Sequence, residues 1–168
     1  MPGSPSHLTR RFFDVLRARP LLETEQAEVR NWLGEAERSI FFAQPDADQR
    51  HGLTAALTVM ASGTDDRAAI RAALLHDVGK RYSRLGLFGR VLASVLILLR
   101  LPLRGRLLAY RDHGEIAALE LEALGAEPLV VEFARHHHRR RPPTIEPGTW
   151  DLLRRADQPP KTWPKNHP

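Results

Sequence analysis

Cysteine is absent from the 168 residues of this sequence, which excludes disulfides and thiolate metal sites. Any metal ion that the chain binds must therefore be held by imidazole and carboxylate groups. The sequence also lacks an N-terminal apolar run of signal-peptide length and any run of the roughly 20 apolar residues that a membrane span needs. We therefore expect a cytoplasmic protein without a transmembrane segment.

Acidic residues are the minority charge, with 20 of them against 25 basic residues and a net charge of +5. Lysine is scarce as well, because 22 of the 25 basic residues are arginine. An excess of arginine favours an anionic partner, either a phosphate ester or a nucleic acid. Because the arginines are scattered, apart from the run at 139–141, we expect a small phosphorylated substrate such as a nucleotide rather than a nucleic acid.

Alternation of apolar and polar residues at a period of two is also missing, and β-branched residues are few. Apolar residues recur at steps of three and four instead, which predicts an all-α fold. We expect one domain, with about five core helices within residues 46–158, a helical extension over 1–45 and an irregular tail over 159–168. The predicted helices cover residues 8–18, 24–42, 46–61, 65–77, 87–100, 107–124, 128–139 and 149–157.

Residues that favour helix ends mark the limits of several of these helices. Asp46, Asp65 and Thr149 are polar residues of the kind that cap helix N-termini. The expected C-terminal stops are the glycines Gly63, Gly79 and Gly125.

Several histidines and aspartates lie on the faces of predicted helices that also carry apolar residues. In the predicted helix over 107–124, His113 shares a face with Ile116, and His137 follows Val130 by seven residues on the next helix. Because these apolar stripes point towards the core, the polar groups on them should be buried together. The residues expected to face inward are His51, His76, Asp77, His113, His137 and Asp157, with His136 or His138 beside His137.

A metal ion would resolve the cost of burying these groups. An unpaired buried carboxylate costs several kcal/mol, which a bound dication removes. Imidazole and carboxylate oxygen are ligands favoured by iron, manganese, nickel and zinc, and magnesium is a further candidate. Six groups exceed the needs of one tetrahedral site, so we expect one or two divalent ions, with Asp77 as the bridge between two. A polar core network without metal is the alternative.

The adjacent pair His76 and Asp77 needs a particular backbone. Consecutive residues of a helix point about 100° apart, so the two side chains do not ordinarily face one ion. We expect Gly79 to adopt the left-handed conformation that ends the helix, which would let both side chains turn to a common centre.

Basic residues near these ligands are candidates for binding a phosphate group. Lys80 follows Asp77 by three residues and is expected to contact substrate and assist catalysis, although a solvated lysine at a helix end is the alternative. Arg50 and Arg81 could bind phosphate through two hydrogen bonds each. Arg139 could do so as well, although the helix dipole alone would favour a cation at its position.

Residues 85–108, LGLFGRVLASVLILLRLPLRGRLL, are apolar on almost every side yet too short to span a bilayer. We first expect a fully buried helix. A homodimer interface or a hydrophobic lid is the second interpretation, and a basic helix at a membrane surface is the third.

The candidate residues form an ordered series along the chain, which consists of His51, the HDVGK of residues 76–80, His113, the histidine run of 136–138 and Asp157. This series resembles the HD-domain phosphohydrolase superfamily. The resemblance covers residues 46–158 and implies an all-helical core, one or two divalent ions and hydrolysis of phosphomonoester, phosphodiester or pyrophosphate bonds of a nucleotide or related metabolite. It is nearest to the two-metal branch, which contains cyclic-dinucleotide phosphodiesterases and dinucleoside tetraphosphate hydrolases. The cyclic di-GMP phosphodiesterases carry a Gly-Tyr-Pro triplet where this chain has HHHRRRPPTIEP, so the dinucleoside polyphosphate hydrolases are the better match. A metal-stabilised regulatory module that binds a nucleotide without cleaving it is the competing hypothesis.

Overall fold

The computed structural model describes residues 19–158, and these form nine α-helices and one 3₁₀ helix, with no strand in that range. The all-α prediction is therefore confirmed. The predicted helix over 8–18 and the predicted tail over 159–168 lie outside the described residues. The elements are α1 (Glu23–Trp32), α2 (Glu35–Phe42), α3 (Asp46–Met60), α4 (Arg67–Leu75), the 3₁₀ helix (Val78–Ser83), α5 (Leu87–Leu98), α6 (Gly105–Arg111), α7 (His113–Ala123), α8 (Pro128–His136) and α9 (Pro147–Ala156).

Helix α4 is the centre of the core, and it contacts α3, α8 and α9. Its sequence, RAAIRAALL, buries six of nine residues, and the small alanines let the neighbouring helices approach closely. Helix α7 packs on α8 and on the 3₁₀ helix. The largest fully buried side chains include Phe41, Ile70, Leu74, Leu75, Leu121 and Phe133. Among the helices of residues 19–158, none has the length and apolar character to cross a membrane.

Two of the predicted helices are each broken into two. The predicted helix over 24–42 ends at Trp32, because Leu33 and Gly34 are extended and the Glu37 carboxylate accepts the Gly34 N–H at 3.0 Å, which starts α2. The predicted helix over 107–124 breaks at Asp112, whose backbone has φ −95° and ψ 13°. The second break makes His113 the first residue of α7 rather than a residue of a helix interior.

The N-terminal caps differ from the sequence-based prediction. Asp66, not Asp65, caps α4 and accepts two backbone N–H groups of its first turn at 2.9 and 3.4 Å. Glu146 caps α9 by accepting the N–H of Thr149, so Thr149 lies inside the first turn. Asp46 is the first residue of α3 rather than its cap. Adjacent or nearby acidic and hydroxyl residues offer similar capping groups, and local pattern does not rank them.

Two of the three predicted glycine stops are confirmed, since Gly63 and Gly125 have φ of +82° and +70° after α3 and α7. The expectation for Gly79 is wrong, because it lies inside the 3₁₀ helix and its φ is not positive. A Cβ at Gly79 would lie 2.1 Å from the carbonyl oxygen of His113 and 2.9 Å from the amide nitrogen of Ala117. This glycine is therefore required for the close contact between the 3₁₀ helix and α7.

We expect Gly79→Ala to lower the free energy of unfolding by about 3 kcal/mol, because the added methyl group meets rigid backbone rather than a mobile side chain. Chemical denaturation measures this change. Gly86→Ala is the matched control, since Gly86 has φ −69° and nothing within 4 Å of the added Cβ. Equal stability of the two variants would show that the contact at Gly79 is not tight.

The first interpretation of residues 85–108, a helix buried on all sides, is also wrong. Within α5, Ala93 is the buried residue, whereas Phe88 is 82% exposed. The periodicity of the sequence could not predict this exposure. A helix with apolar residues on almost every side has no distinct apolar stripe that would indicate which side is buried.

Candidate metal centre

All six residues predicted to face inward meet in one cluster, and five of them lie at helix ends. At a helix end the backbone leaves its regular path, so a side chain can point along the axis as well as away from it. The members are His51 within α3, His76 and Asp77 directly after α4, His113 at the start of α7, His137 directly after α8 and Asp157 directly after α9.

The turn at Asp77 brings the adjacent pair to a common centre. His76 still has helical dihedrals, with φ −57° and ψ −29°, whereas Asp77 has φ −104° and ψ 3° between α4 and the 3₁₀ helix. The change of direction thus occurs at Asp77 itself rather than at Gly79. Both side chains are buried and point into the cluster.

Three imidazole rings are fixed in the same way. The Nδ1 atoms of His76, His113 and His137 lie 2.9, 2.6 and 2.8 Å from the backbone carbonyl oxygen three residues earlier. A carbonyl oxygen only accepts, so each Nδ1 carries the hydrogen, and in the neutral ring the Nε2 lone pair faces the cluster. Histidine ligands of metal ions are typically oriented by such a second hydrogen bond.

Asp77 lies between two pairs of histidines. Its Oδ2 is 3.4 Å from Nε2 of His76 and 3.6 Å from Nε2 of His51. Its Oδ1 is 3.1 Å from Nε2 of His113 and 3.4 Å from Nε2 of His137. Each carboxylate oxygen thus faces a different pair of imidazoles.

Asp157 completes the side of the cluster that contains His51 and His76, since its Oδ1 is 3.2 Å from Nε2 of each. Its Oδ2 is 3.4 Å from a guanidinium nitrogen of Arg154, which also donates to the backbone carbonyl of His137. Arg154 therefore ties Asp157 to the end of α8. Arg154 was not predicted from the sequence, although its position three residues before Asp157 on α9 places the two side chains on one face.

Two subsets of the cluster have the geometry to hold a metal ion. Potential ligand atoms lie within 4.8 Å of one another in each, and the sets are His51, His76 and Asp77, and Asp77, His113, His137 and His138. Nε2 of His76 and Oδ1 of Asp77 are buried, and although ionisable cluster members lie 3.1–3.4 Å from each, neither atom forms a well-aligned hydrogen bond among the described residues. An unsatisfied buried polar atom costs about 1–3 kcal/mol, which a cation would offset. The buried His/Asp cluster therefore could hold a metal ion.

The protonation states of the cluster residues balance their charges. Burial opposes ionisation of both carboxyl groups, but the Lys80 ammonium and the His76 ring outweigh it at Asp77, and the pKa of Asp77 and of Asp157 stays well below the usual range. Burial also lowers the pKa of His76, but the two carboxylates reverse this and raise it to about 10. Burial lowers the pKa of His137 to about 4, so that ring is neutral. Two carboxylates are thus offset by protonated His76 and by Lys80.

The histidines that flank His137 have different surroundings. The His138 ring centroid lies 4.0 Å from that of His137 and 5.0 Å from that of His113, and His138 is at the exposed edge of the cluster. Nε2 of His136 instead lies 3.7 Å from the Glu132 carboxylate. Of the two alternatives, the structure brings His138 to the cluster.

Lys80 is buried and pairs with Oδ2 of Asp77, so it lies inside the cluster rather than on its rim. The 3₁₀ helix accounts for this position, because three residues make one complete turn and stack the two side chains. The charge of the ammonium group therefore helps to keep the pKa of Asp77 low.

The three candidate arginines differ in whether they lie beside the cluster. Arg50 is engaged by Glu25 through hydrogen bonds of 2.6 and 2.9 Å, and Arg81 pairs with Glu120. The described contacts of these two arginines do not include a cluster member. Arg139 lines a cleft together with His137 and His138, so it lies beside the exposed edge of the cluster.

Two glycines that sequence analysis passed over also position the site. Gly52 follows His51, and a Cβ there would lie 2.7 Å from the carbonyl oxygen of Leu74. Gly114 follows His113, and a Cβ there would lie 2.7 Å from the carbonyl oxygen of Ala134. Each glycine lets a helix that carries a cluster histidine approach its neighbour closely, and the repeated His-Gly dipeptide was the available signal.

Comparison of the chain with protein-family models, curated proteins and solved structures found no match. Support for a function therefore comes from the chain's own sequence and geometry. These combine an all-helical fold with a buried His/Asp cluster that has one exposed edge, at His138.

Proposed function

We propose that this chain is a metal-dependent phosphohydrolase of the HD type, which cleaves phosphomonoester, phosphodiester or pyrophosphate bonds of a nucleotide or a related metabolite. The main support is Asp77, whose two oxygens each face a different pair of imidazoles. That arrangement suits a carboxylate between two cations and has no evident use in a purely structural core, where a hydrophobic pair of the same volume would be at least as stable.

The residues present fit two divalent ions. One would be held by His51, His76, Asp77 and Asp157, and the other by Asp77, His113, His137 and His138. These nitrogen and oxygen donors suit iron, manganese, nickel or zinc. Bound dications would supply Lewis-acid charge to a phosphoryl group and make water more acidic.

The protein's own side chains would prepare the site for an anionic substrate. With divalent ions bound, Asp77 would not need the ammonium of Lys80 or the proton of His76 as counter-charge. Lys80 would then donate to a phosphate oxygen, a task for which a compact ammonium on a flexible stem is suited. Arg139, in the cleft beside His138, would attract the phosphate at the exposed edge.

Metal reconstitution tests this proposal. Protein stripped by a chelator would be loaded in turn with manganese, ferrous iron, nickel, zinc and magnesium, and assayed with p-nitrophenyl phosphate, bis(p-nitrophenyl) phosphate and dinucleoside polyphosphates. We expect up to two ions per chain and hydrolysis that appears only after loading. Metal binding without hydrolysis of any substrate would favour the regulatory module, and failure to bind metal would overturn the proposal.

Lys80→Met should keep the bound metal and lower turnover roughly a hundredfold, because it removes a donor to the phosphoryl group but keeps the volume of the apolar stem. Metal analysis and steady-state kinetics measure the two effects separately. Lys80→Arg, which retains the charge, should recover part of the turnover. Loss of metal together with activity would assign Lys80 a structural role instead.

A further inference from the structure

Helix α5 has its large apolar residues on the outside. Most of its exposed apolar side chains follow one another at steps of three and four and therefore share one side of the helix, whereas Ile97, which is also exposed, lies off that side. We call this side the apolar face of α5. It consists of Phe88, Val91, Leu92, Val95, Leu98 and the C-cap residue Leu99.

The opposite side of α5 is attached to the protein by an ion pair. Arg90 donates to both carboxylate oxygens of Asp48 at 2.6 Å, and Ala93 is fully buried next along that side. Both Arg90 and Asp48 side chains are largely buried. A buried bidentate pair fixes the orientation of the helix, so the apolar face points outward because of specific contacts rather than poor packing.

Charge is distributed very unevenly around this helix. Residues 78–111 contain eight basic residues and no acidic one, whereas the rest of the chain has 17 basic and 20 acidic residues. The segment thus carries all of the net positive charge. Four of its arginines are exposed and form no salt bridge in the described part of the chain. They lie before and after α5 and are Arg84, Arg100, Arg104 and Arg106.

We infer that α5 docks the protein on a membrane surface that contains anionic lipids. The apolar face would enter the boundary between headgroups and acyl chains, and the flanking arginines would contact lipid phosphates. Twelve residues make a helix about 18 Å long, which suits a helix lying in the plane of the surface.

The charge pattern favours this partner over a second copy of the chain. A symmetric dimer through the apolar face would bring the arginines of both copies together, and residues 78–111 offer no acidic residue to pair with them. A nucleic acid would engage the arginines but leave the apolar face exposed to water.

Flotation of the full chain with lipid vesicles tests the inference. Vesicles of phosphatidylcholine alone would be compared with vesicles that also contain phosphatidylglycerol. We expect binding to the second kind only. Leu92→Ser should weaken it about tenfold, since a leucine leaves the apolar phase, and Arg100→Gln with Arg104→Gln should weaken it roughly thirtyfold.

Matched control variants test whether a loss of vesicle binding is specific to the apolar face of α5 and its flanking arginines. Leu119→Ser alters an exposed leucine on α7, 58% exposed against 51% for Leu92, and should leave binding unchanged. Arg140→Gln with Arg155→Gln removes two exposed arginines elsewhere and should weaken binding much less than the Arg100 and Arg104 pair. The assay does not depend on hydrolysis, so it stands apart from the proposed enzymatic function.

Three results would overturn the inference. The first is no vesicle binding by the full chain, and the second is equal loss of binding in the variants and their controls. The third is a dimer in analytical ultracentrifugation that Leu92→Ser dissociates, which would make a second copy the occupant of the apolar face.

Discussion

Asp77→Asn is expected to release the bound metal and to lower phosphoester hydrolysis by orders of magnitude. The amide has almost the same shape as the carboxylate, but its NH₂ group cannot ligate a cation and the negative charge is lost. The single amide oxygen could face either the pair His76 and His51 or the pair His113 and His137. The amide nitrogen would face the other pair, which would then lack a ligand oxygen. Elemental analysis of metal content together with a phosphoester assay measures both losses.

The control for this variant is Asp48→Asn, which also removes the charge of a buried, paired carboxylate. Asp48 lies outside the cluster and pairs with Arg90, so this variant should lose stability yet retain metal and turnover once folded. If Asp77→Asn keeps two ions and near-normal turnover, or if both variants lose metal equally, Asp77 does not bridge two ions.

His137→Ala should abolish metal binding at one position, with a larger effect than the roughly tenfold to hundredfold loss of affinity that removal of an outer-shell partner causes. The His137 ring is fully buried, its Nδ1 donates to a carbonyl, and its Nε2 lies 3.4 Å from Oδ1 of Asp77. Calorimetric titration with manganese measures the change in affinity and stoichiometry.

His136→Ala is the matched control, because His136 is the preceding residue and its ring faces Glu132. It should bind metal and turn over substrate as the unaltered chain does. If the alanine variant of His136 loses metal while that of His137 retains it, the last turn of α8 directs His136, not His137, into the cluster.

Much of the site was accessible from apolar periodicity. The stripe containing Val130 points inward, and His137 continues it after two helical turns. His113 could be placed on an inward face for the same reason, even though its helix is shorter than predicted. The prediction that a side chain is buried can be correct even when the predicted helix boundaries are wrong. Burial depends on the face of the helix and not on the exact residue at which the helix ends.

The local backbone and the arginines were less predictable, since they depend on tertiary contacts. Gly79 is required by the approach of α7, not by its own turn. Arg50 pairs with Glu25, which is distant in sequence. The outward apolar face of α5 depends on the pair between Arg90 and Asp48, and no periodic pattern identifies such a partner.

Anomalous X-ray diffraction from crystals soaked with manganese is the most direct test of the metal centre. We predict two anomalous peaks, one on each side of the Asp77 carboxylate, with Lys80 displaced from Oδ2. A map without a peak in the cluster, in which Lys80 still pairs with Asp77, would contradict the proposed metal-dependent function.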